Sequence, residues 1–330
     1  MKAAQLIRPL NRVMNEQDRL CLLGLSHVEF LSPREKLVLV QGLGSPSRLF
    51  DLSLPDIAAL LGRRLVTRAW QPREILRKAE ATRAHLTRGR MGSIFYGDPE
   101  YPPRLREIYD PPLALFFRGS LPDNGETLAG IVGTRFPTGA GRAAAFRLGF
   151  DLGRSGIWVV SGLARGIDRE AHDGCEKAGG FSVAVLGNGI DLIYPSSSRS
   201  AAMALLARGG AIVSEYPPGV PALRWHFPAR NRIISGLSRG VVIVEAPERS
   251  GALFTADYAL EQGRDLWVHA AGRAGATGAG TRRLAEAGAP VIHAAADIAD
   301  EWGVALPSTM MAGEIGAARE RSAGEAYGRT

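Results

Sequence analysis

From Leu128 onward the chain sets down a short apolar run roughly every 25 to 30 residues, with helical patterning between most of the runs, and few folds accept that rhythm. The runs are Leu128–Val132, Ile157–Ser161, Ser182–Leu186, Ala211–Ser214, Val241–Glu245 and Asp265–His269. Strands that are apolar throughout need helices on both faces of their sheet, so the spacing predicts an α/β unit built on a doubly wound parallel sheet. In such a sheet ligands bind beyond the carboxyl ends of the strands. The residues just past each run are therefore where function is to be read.

The first run ends in Gly133-Thr134-Arg135, with Gly139 and Gly141 opening the next helix. Glycines allow close backbone approach to a phosphate, a helix N-terminus offers N–H donors, and arginine adds a bidentate cation. The second run leads into Ser161-Gly162, Arg165-Gly166, Asp168 and His172. The third ends in Gly187-Asn188-Gly189 with Asp191 and Tyr194 behind it, and the fourth in Ser214-Glu215-Tyr216. Further on come Phe227-Pro-Ala-Arg230-Asn231-Arg232, ahead of a helical segment, and Ser250-Gly251 through Thr255. One glycine turn of this kind is ordinary βαβ packing, whereas several along one sheet edge, two with arginine, point to a polyanion.

The anion can be narrowed. None of the four lysines follows a glycine, so the Gly-Lys-Ser/Thr of a P-loop is missing. A dinucleotide fingerprint is missing too: the first loop reads Gly133-Thr-Arg-Phe-Pro-Thr-Gly139, and the second run ends in Ser161 rather than an acid. Phe227 beside Arg230 and Arg232 offers a stacking face next to phosphate-binding cations, the usual recipe for single strands. A core phenylalanine with both arginines on solvent fits these residues equally well. No metal-ligand spacing is present, and no cofactor is expected.

Ahead of the sheet, residues 1–85 read as a small helical domain of SAM or helix-hairpin-helix type, with apolar spacing through Arg19–Leu25, Glu35–Val40, Pro55–Leu61 and Pro72–Ala84. Residues 86–127, rich in proline, read as a connector whose run Leu113–Phe117 adds a strand to the sheet edge. The α/β unit is expected over 128–303, and 304–330 as a flexible tail with no winged-helix domain. Residues 1–125 carry 19 basic and 13 acidic side chains, against 21 and 20 in the remainder, so an anion site on the sheet must be a local cluster rather than bulk charge. No apolar run reaches the roughly 20 residues of a membrane span, and no signal-peptide core opens the chain. Cys21 and Cys175 fit a reduced, cytoplasmic setting as small buried hydrophobes.

Three segments in order, Ser161-Gly-Leu-Ala-Arg-Gly-Ile-Asp168 with Ala171-His172, Phe227–Ser238, and Val244-Glu-Ala246 leading to Ser250-Gly251 and Thr255-Ala256, resemble the DprA (Smf) DNA-processing proteins. The resemblance runs from about Ile131 to Pro290. It implies an extended Rossmann-like fold, single-stranded DNA in a basic pocket, a homodimer, and delivery of DNA to the RecA recombinase in natural transformation. The family's phosphate loop matches Gly133-Thr134-Arg135 and its arginine-asparagine-arginine segment Arg230-Asn231-Arg232; with the strand-end reading, the expected nucleic-acid contacts are Gly133, Thr134, Arg135, Ser161, Gly162, Arg165, Gly166, Phe227, Arg230, Asn231, Arg232, Gly251 and Thr255. Departures at Ala140, Ala270-Ala271 and Arg282 bear on the detailed shape of the pocket. The alternatives on the same superfold are a nucleotide-processing hydrolase, with Asp168, His172, Glu215 and Glu245 as candidate acid–base groups, and a sensor of small nucleotides. The comparable loop Ser250–Tyr258 lacks the glutamate such hydrolases use, so the expectation is a binder rather than an enzyme.

Overall fold

The helices that precede the sheet begin and end where their caps dictate. A computed structural model describes residues 14–305 and has α1 (Glu16–Ser26), α2 (Pro33–Leu43), α3 (Pro46–Leu49), α4 (Leu54–Leu61) and α5 (Pro72–Arg88) ahead of the first strand. Capping boxes open α2 (Ser32 with Glu35) and α4 (Ser53 with Asp56), each followed by proline in the first turn, and both helices close on left-handed glycines, Gly44 and Gly62. Gly42 thus belongs to the last turn of α2, and only Gly44 and Ser45 separate it from α3. The buried Ser45 hydroxyl donates to Asp18 Oδ1 on α1 at 2.8 Å, so this turn is tied into the helical core.

Among the described residues nine strands form one sheet: β1 (Gly92–Phe95), β2 (Ala114–Gly119), β3 (Leu128–Val132), β4 (Trp158–Ser161), β5 (Ser182–Val185), β6 (Ala211–Ser214), β7 (Gly240–Ile243), β8 (Asp265–His269) and β9 (Val291–Ile292). Their order is β1-β2-β6-β5-β4-β3-β7-β8-β9, with β3 to β9 mutually parallel and β2 antiparallel to both β1 and β6. The fold is α/β and Rossmann-like. The apolar runs read from Leu128 onward fall on β3 to β8 within two residues. The strands β1 and β9 were not expected: the first follows a glycine turn among prolines, and the second is two residues long.

Between strands lie α6 (Pro103–Arg106), α7 (Gly139–Arg154), α8 (Ile167–Lys177), α9 (Arg199–Ala207), α10 (His226–Leu237), α11 (Ala252–Glu261), α12 (Ala279–Glu286) and α13 (Ala295–Trp302). Residues of α7, α8 and α13 bury one face of the sheet in a cluster around Ile131, Val159 and Val242. The other face, covered by α9, α10 and α11, belongs to a second cluster that runs on without a break into β1, β2 and the apolar sides of α1 to α5. Helices α7 and α8 lie backbone to backbone: a Cβ at Gly149 would collide with the Ala171 carbonyl, and one at Gly174 with the Phe146 carbonyl. Both cysteines are free and buried, Cys21 on α1 and Cys175 on α8. Residues 306–330 of the expected tail lie outside the described residues. No helix among the described residues is long and apolar enough to cross a membrane.

Candidate nucleic-acid interface

Strand β3 has β4 on one side and β7 on the other, and the connections run outward in opposite directions from this pair. This is the topological switch point, where loops leaving adjacent strands part and open a crevice. A cleft of about 670 Å³ occupies it. The loop after β3 supplies Gly133, Thr134, Arg135 and Phe136, α10 supplies Phe227, Arg230 and Asn231, and the segment after β7 supplies Ser250, Gly251 and Thr255.

Buried polar contacts fix these walls. The Thr134 N–H donates to the Glu245 carbonyl at 2.7 Å, joining the ends of β3 and β7, and the Phe136 N–H donates to Thr134 Oγ1 at 3.2 Å. Glu245, 1% exposed, accepts from the Thr138 N–H at 3.0 Å and from its hydroxyl at 2.8 Å. Thr138 in turn caps Gly141 N at the start of α7. The expectation that this helix N-terminus serves a phosphate needs correcting, since an internal carboxylate already sits at Thr138 and the Gly141 N–H is already capped. Glycine at 141 is needed because a Cβ there would collide with that carboxylate.

Arg230 is buried and spans the base of the cleft, donating to the carbonyls of Gly162 (2.9 Å) and Val185 and to Asn231 Oδ1 (3.0 Å). Burial pulls its pKa down to about 10, with Asp168 opposing the shift and the charge of Arg135 adding to it. Asn231 passes the chain of contacts to the Gly251 carbonyl at 3.0 Å. Asp168 accepts from the N–H groups of Gly162 (3.1 Å) and Ala164 (3.4 Å), so it orients the loop after β4. Burial raises its pKa and the Arg230 charge works against that. Thr255 Oγ1 is buried in the floor with no hydrogen-bond partner among the described residues.

The mouth has a different character. Arg135 is exposed, and its guanidinium lies over the half-buried ring of Phe227, 5.8 Å from the centroid. Tyr194 is 5.7 Å from the same ring on a tilted plane, and Phe136 stands 77% exposed on the opposite lip. Arg224 lines the cleft and is also exposed. Three arginines thus face one buried carboxylate, with aromatic faces open to solvent between them. Phe136 and Arg224 were not singled out from sequence, although each stands within three residues of one that was; Tyr194 was noted behind the third strand end but not given a role.

Of the thirteen expected contact residues, eight line the cleft: Gly133, Thr134, Arg135 and Phe227 around its mouth and wall, and Arg230, Asn231, Gly251 and Thr255 deeper or opposite. Five do not. Ser161 gives its hydroxyl to the Ile131 carbonyl at 2.6 Å. Gly162 has its N–H on Asp168 and its carbonyl on Arg230, and Gly166 takes a positive φ of 81° where it passes under the Thr134 carbonyl. Arg165 points to solvent near Ser197 Oγ, at 3.3 Å.

Arg232 is the clearest correction. It is buried on the far side of α10 and paired with Asp110 at 2.9 Å and with Glu215, so it is neither on solvent nor free for a phosphate. Phe227 likewise lies inside the first turn of α10, not ahead of the helix.

His172, one turn along α8 from Asp168, is buried with neither ring nitrogen hydrogen-bonded among the described residues. Burial, with Arg169 and Arg230 nearby, lowers its pKa from 6.5 to about 3. The unfolded chain therefore takes up a proton near pH 6.5 that the folded chain refuses. The contribution of this histidine is whole above that pH and is lost as pH falls toward 3, at about 1.4 kcal/mol per pH unit. Denaturant unfolding between pH 7 and pH 4 should show a shallower acid decline in His172→Leu than in the wild type. An identical slope would mean that the imidazole is protonated in the fold. No cluster of three or more His, Cys, Asp or Glu among the described residues could hold a metal ion.

The profile of the DNA recombination-mediator protein A family matches residues 92–303. The chain belongs to this family, the DprA (Smf) proteins. It is 42% identical over 213 residues to DNA processing protein DprA of Bacillus subtilis, a match covering 64% of this chain and 71% of that one. It is 49% identical over 175 residues to protein Smf of Synechocystis, covering 52% of this chain and 44% of that protein, so it spans less than half of that relative. Among solved structures it resembles DNA processing protein A of Streptococcus pneumoniae with a TM-score of 0.70 and 31% identity, over 88% of this chain and 99% of the other. The DNA processing protein A of Helicobacter pylori, whose structure is described for its single-stranded DNA binding mode, matches with a TM-score of 0.56 and 26% identity over 64% of this chain and 95% of that one.

Proposed function

We propose that this family member binds single-stranded DNA in the switch-point cleft without regard to sequence, and acts by holding and handing on DNA, not by catalysis. In this reading Arg135 and Arg224 take phosphates at the mouth, Phe227 and Phe136 stack bases, and Arg230 with Asn231 keeps the floor rigid. The observation that carries it is the Arg135 guanidinium set over the Phe227 ring beside two further open aromatic faces, which suits a flexible polyanion with flat bases and not a duplex. The acid–base candidates support a binder: Glu245 is spent on Thr138, Asp168 on the loop after β4, and Glu215 on Arg232. The finer reading, by family likeness, is a cytoplasmic homodimer that delivers the strand to the RecA recombinase in recombination and natural transformation.

A cleft of about 670 Å³ also has room for a mononucleotide, which keeps a small-nucleotide sensor as the second reading. One titration separates the two: labelled single strands, duplex of the same sequence and free dTMP, each across a salt series. Tight, salt-sensitive binding that prefers single strands and strengthens with length is expected. Equal affinity for dTMP and oligonucleotide would favour the sensor, and preference for duplex would overturn the proposal.

A further inference from the structure

A second cleft, of about 560 Å³, lies on the other side of the segment that walls the first. Residues 223–229 alternate between the two: Arg224, Phe227 and Pro228 face the switch-point cleft, while Leu223, Trp225, His226 and Ala229 face the second. Trp225, 67% exposed, stands on this divide. The opposite wall comes from the helical region, with Lys78 on α5 and Lys36 on α2. Three carboxylates also face this space, Glu29, Asp110 and Glu215, and the last two are both bound by Arg232. Neither lysine forms an ion pair among the described residues; burial lowers Lys36 to about 8 while Glu215 and Glu29 hold it up. Helix α5 also runs beside the mouth of the first cleft, since His85, seven residues on from Lys78 and on the same helix face, lies 3.7 Å from Asp191 in the loop that carries Tyr194.

We propose that a strand filling the switch-point cleft continues over Trp225 into this second cleft, with Trp225 stacking a base and Lys78 and Lys36 holding the phosphates that follow. The inference rests on the single-strand reading above and adds the helical region to the same track. Aromatic and ammonium groups recurring along one continuous path are what a sequence-tolerant strand site requires.

The test uses the full chain with oligothymidylates of roughly 4, 8 and 16 nucleotides, and the variants Trp225→Ala and Lys78→Glu, both at exposed positions where folding is not at risk. On the longest strand Trp225→Ala should lose about fivefold or more in affinity. Lys78→Glu should flatten the salt dependence of that strand by about 0.7 or more in slope. The shortest strand should be unaffected by either. Unchanged binding of the longest strand overturns the inference, and so does a loss equal at every length, which would place Trp225 in the first cleft. If the wild-type chain binds no strand at all, the single-strand reading itself has failed. If it binds all three lengths and the variants match it, only the extended track has failed.

Discussion

Replacing Arg232 with alanine should destabilise the fold by about 3–5 kcal/mol, the usual cost of removing one partner from a buried charged cluster. Its side chain is 3% exposed between Glu215, itself 13% exposed, and Asp110. Two carboxylates would lose their shared cation, and Glu215 would be left poorly hydrated and without its main partner. The attraction of those carboxylates outweighs burial and holds the Arg232 guanidinium above its ordinary pKa, which is the signature of a cation at home in the fold. The effect on DNA should be indirect. At a temperature where both proteins are folded, Arg232→Ala should bind strands short enough to fill only the switch-point cleft nearly as the wild type does, because Arg135 and Phe227 line that cleft while Arg232 lines the other one. Chemical denaturation and strand titration on the same samples decide the matter. Full stability with lost binding would return Arg232 to the interface.

That outcome bears on how far the sequence could be read. The strands β3 to β8 were legible because a buried parallel strand must be apolar on both faces, and Val159-Val160, Val183-Ala184-Val185 and Val241-Val242-Ile243 have no other use in water. The edge strands escaped because β1 opens on Gly92-Ser93 with only Ile94-Phe95 buried, and β9 is too short to show a period. The contact loops were legible from glycines and arginines past strand ends, but the reason for each glycine was not. Gly133 and Gly162 are required by neighbouring protein atoms, Ile167 and Glu245 for the first and Arg230 for the second, and a sequence does not say whether a bare backbone faces ligand or protein.

The error over Arg232 was avoidable on geometry alone. Two residues apart on a helix means about 200° around the axis, so Arg230 and Arg232 cannot share a cleft once Phe227–Ser238 is read as helix. The proline at 228 hid this: it suggested a turn ahead of the helix, whereas proline is well tolerated in a first turn.

The cleft mouth supports a sharper expectation than loss of binding in single variants. Phe227→Ala should weaken single-strand binding by about 1–3 kcal/mol, the worth of one stacked base. Arg135→Ala should cost a comparable amount and flatten the salt dependence by about 0.7 per phosphate contact given up. The two should not add. Because the guanidinium rests over the ring, the ring is part of what aims the cation, and removing either leaves the other less well placed. The double variant should therefore fall short of the sum by about 0.5–1 kcal/mol, the size of an exposed cation–π contact. Arg135 is exposed, so Arg135→Ala should stay within about 0.5 kcal/mol of wild-type stability, and the half-buried Phe227 should cost only part of what a core phenylalanine does. Strict additivity would mean that the two side chains meet the strand separately. A stability loss matching the binding loss would show that the mouth is part of the core, and the assignment of the cleft would have to move.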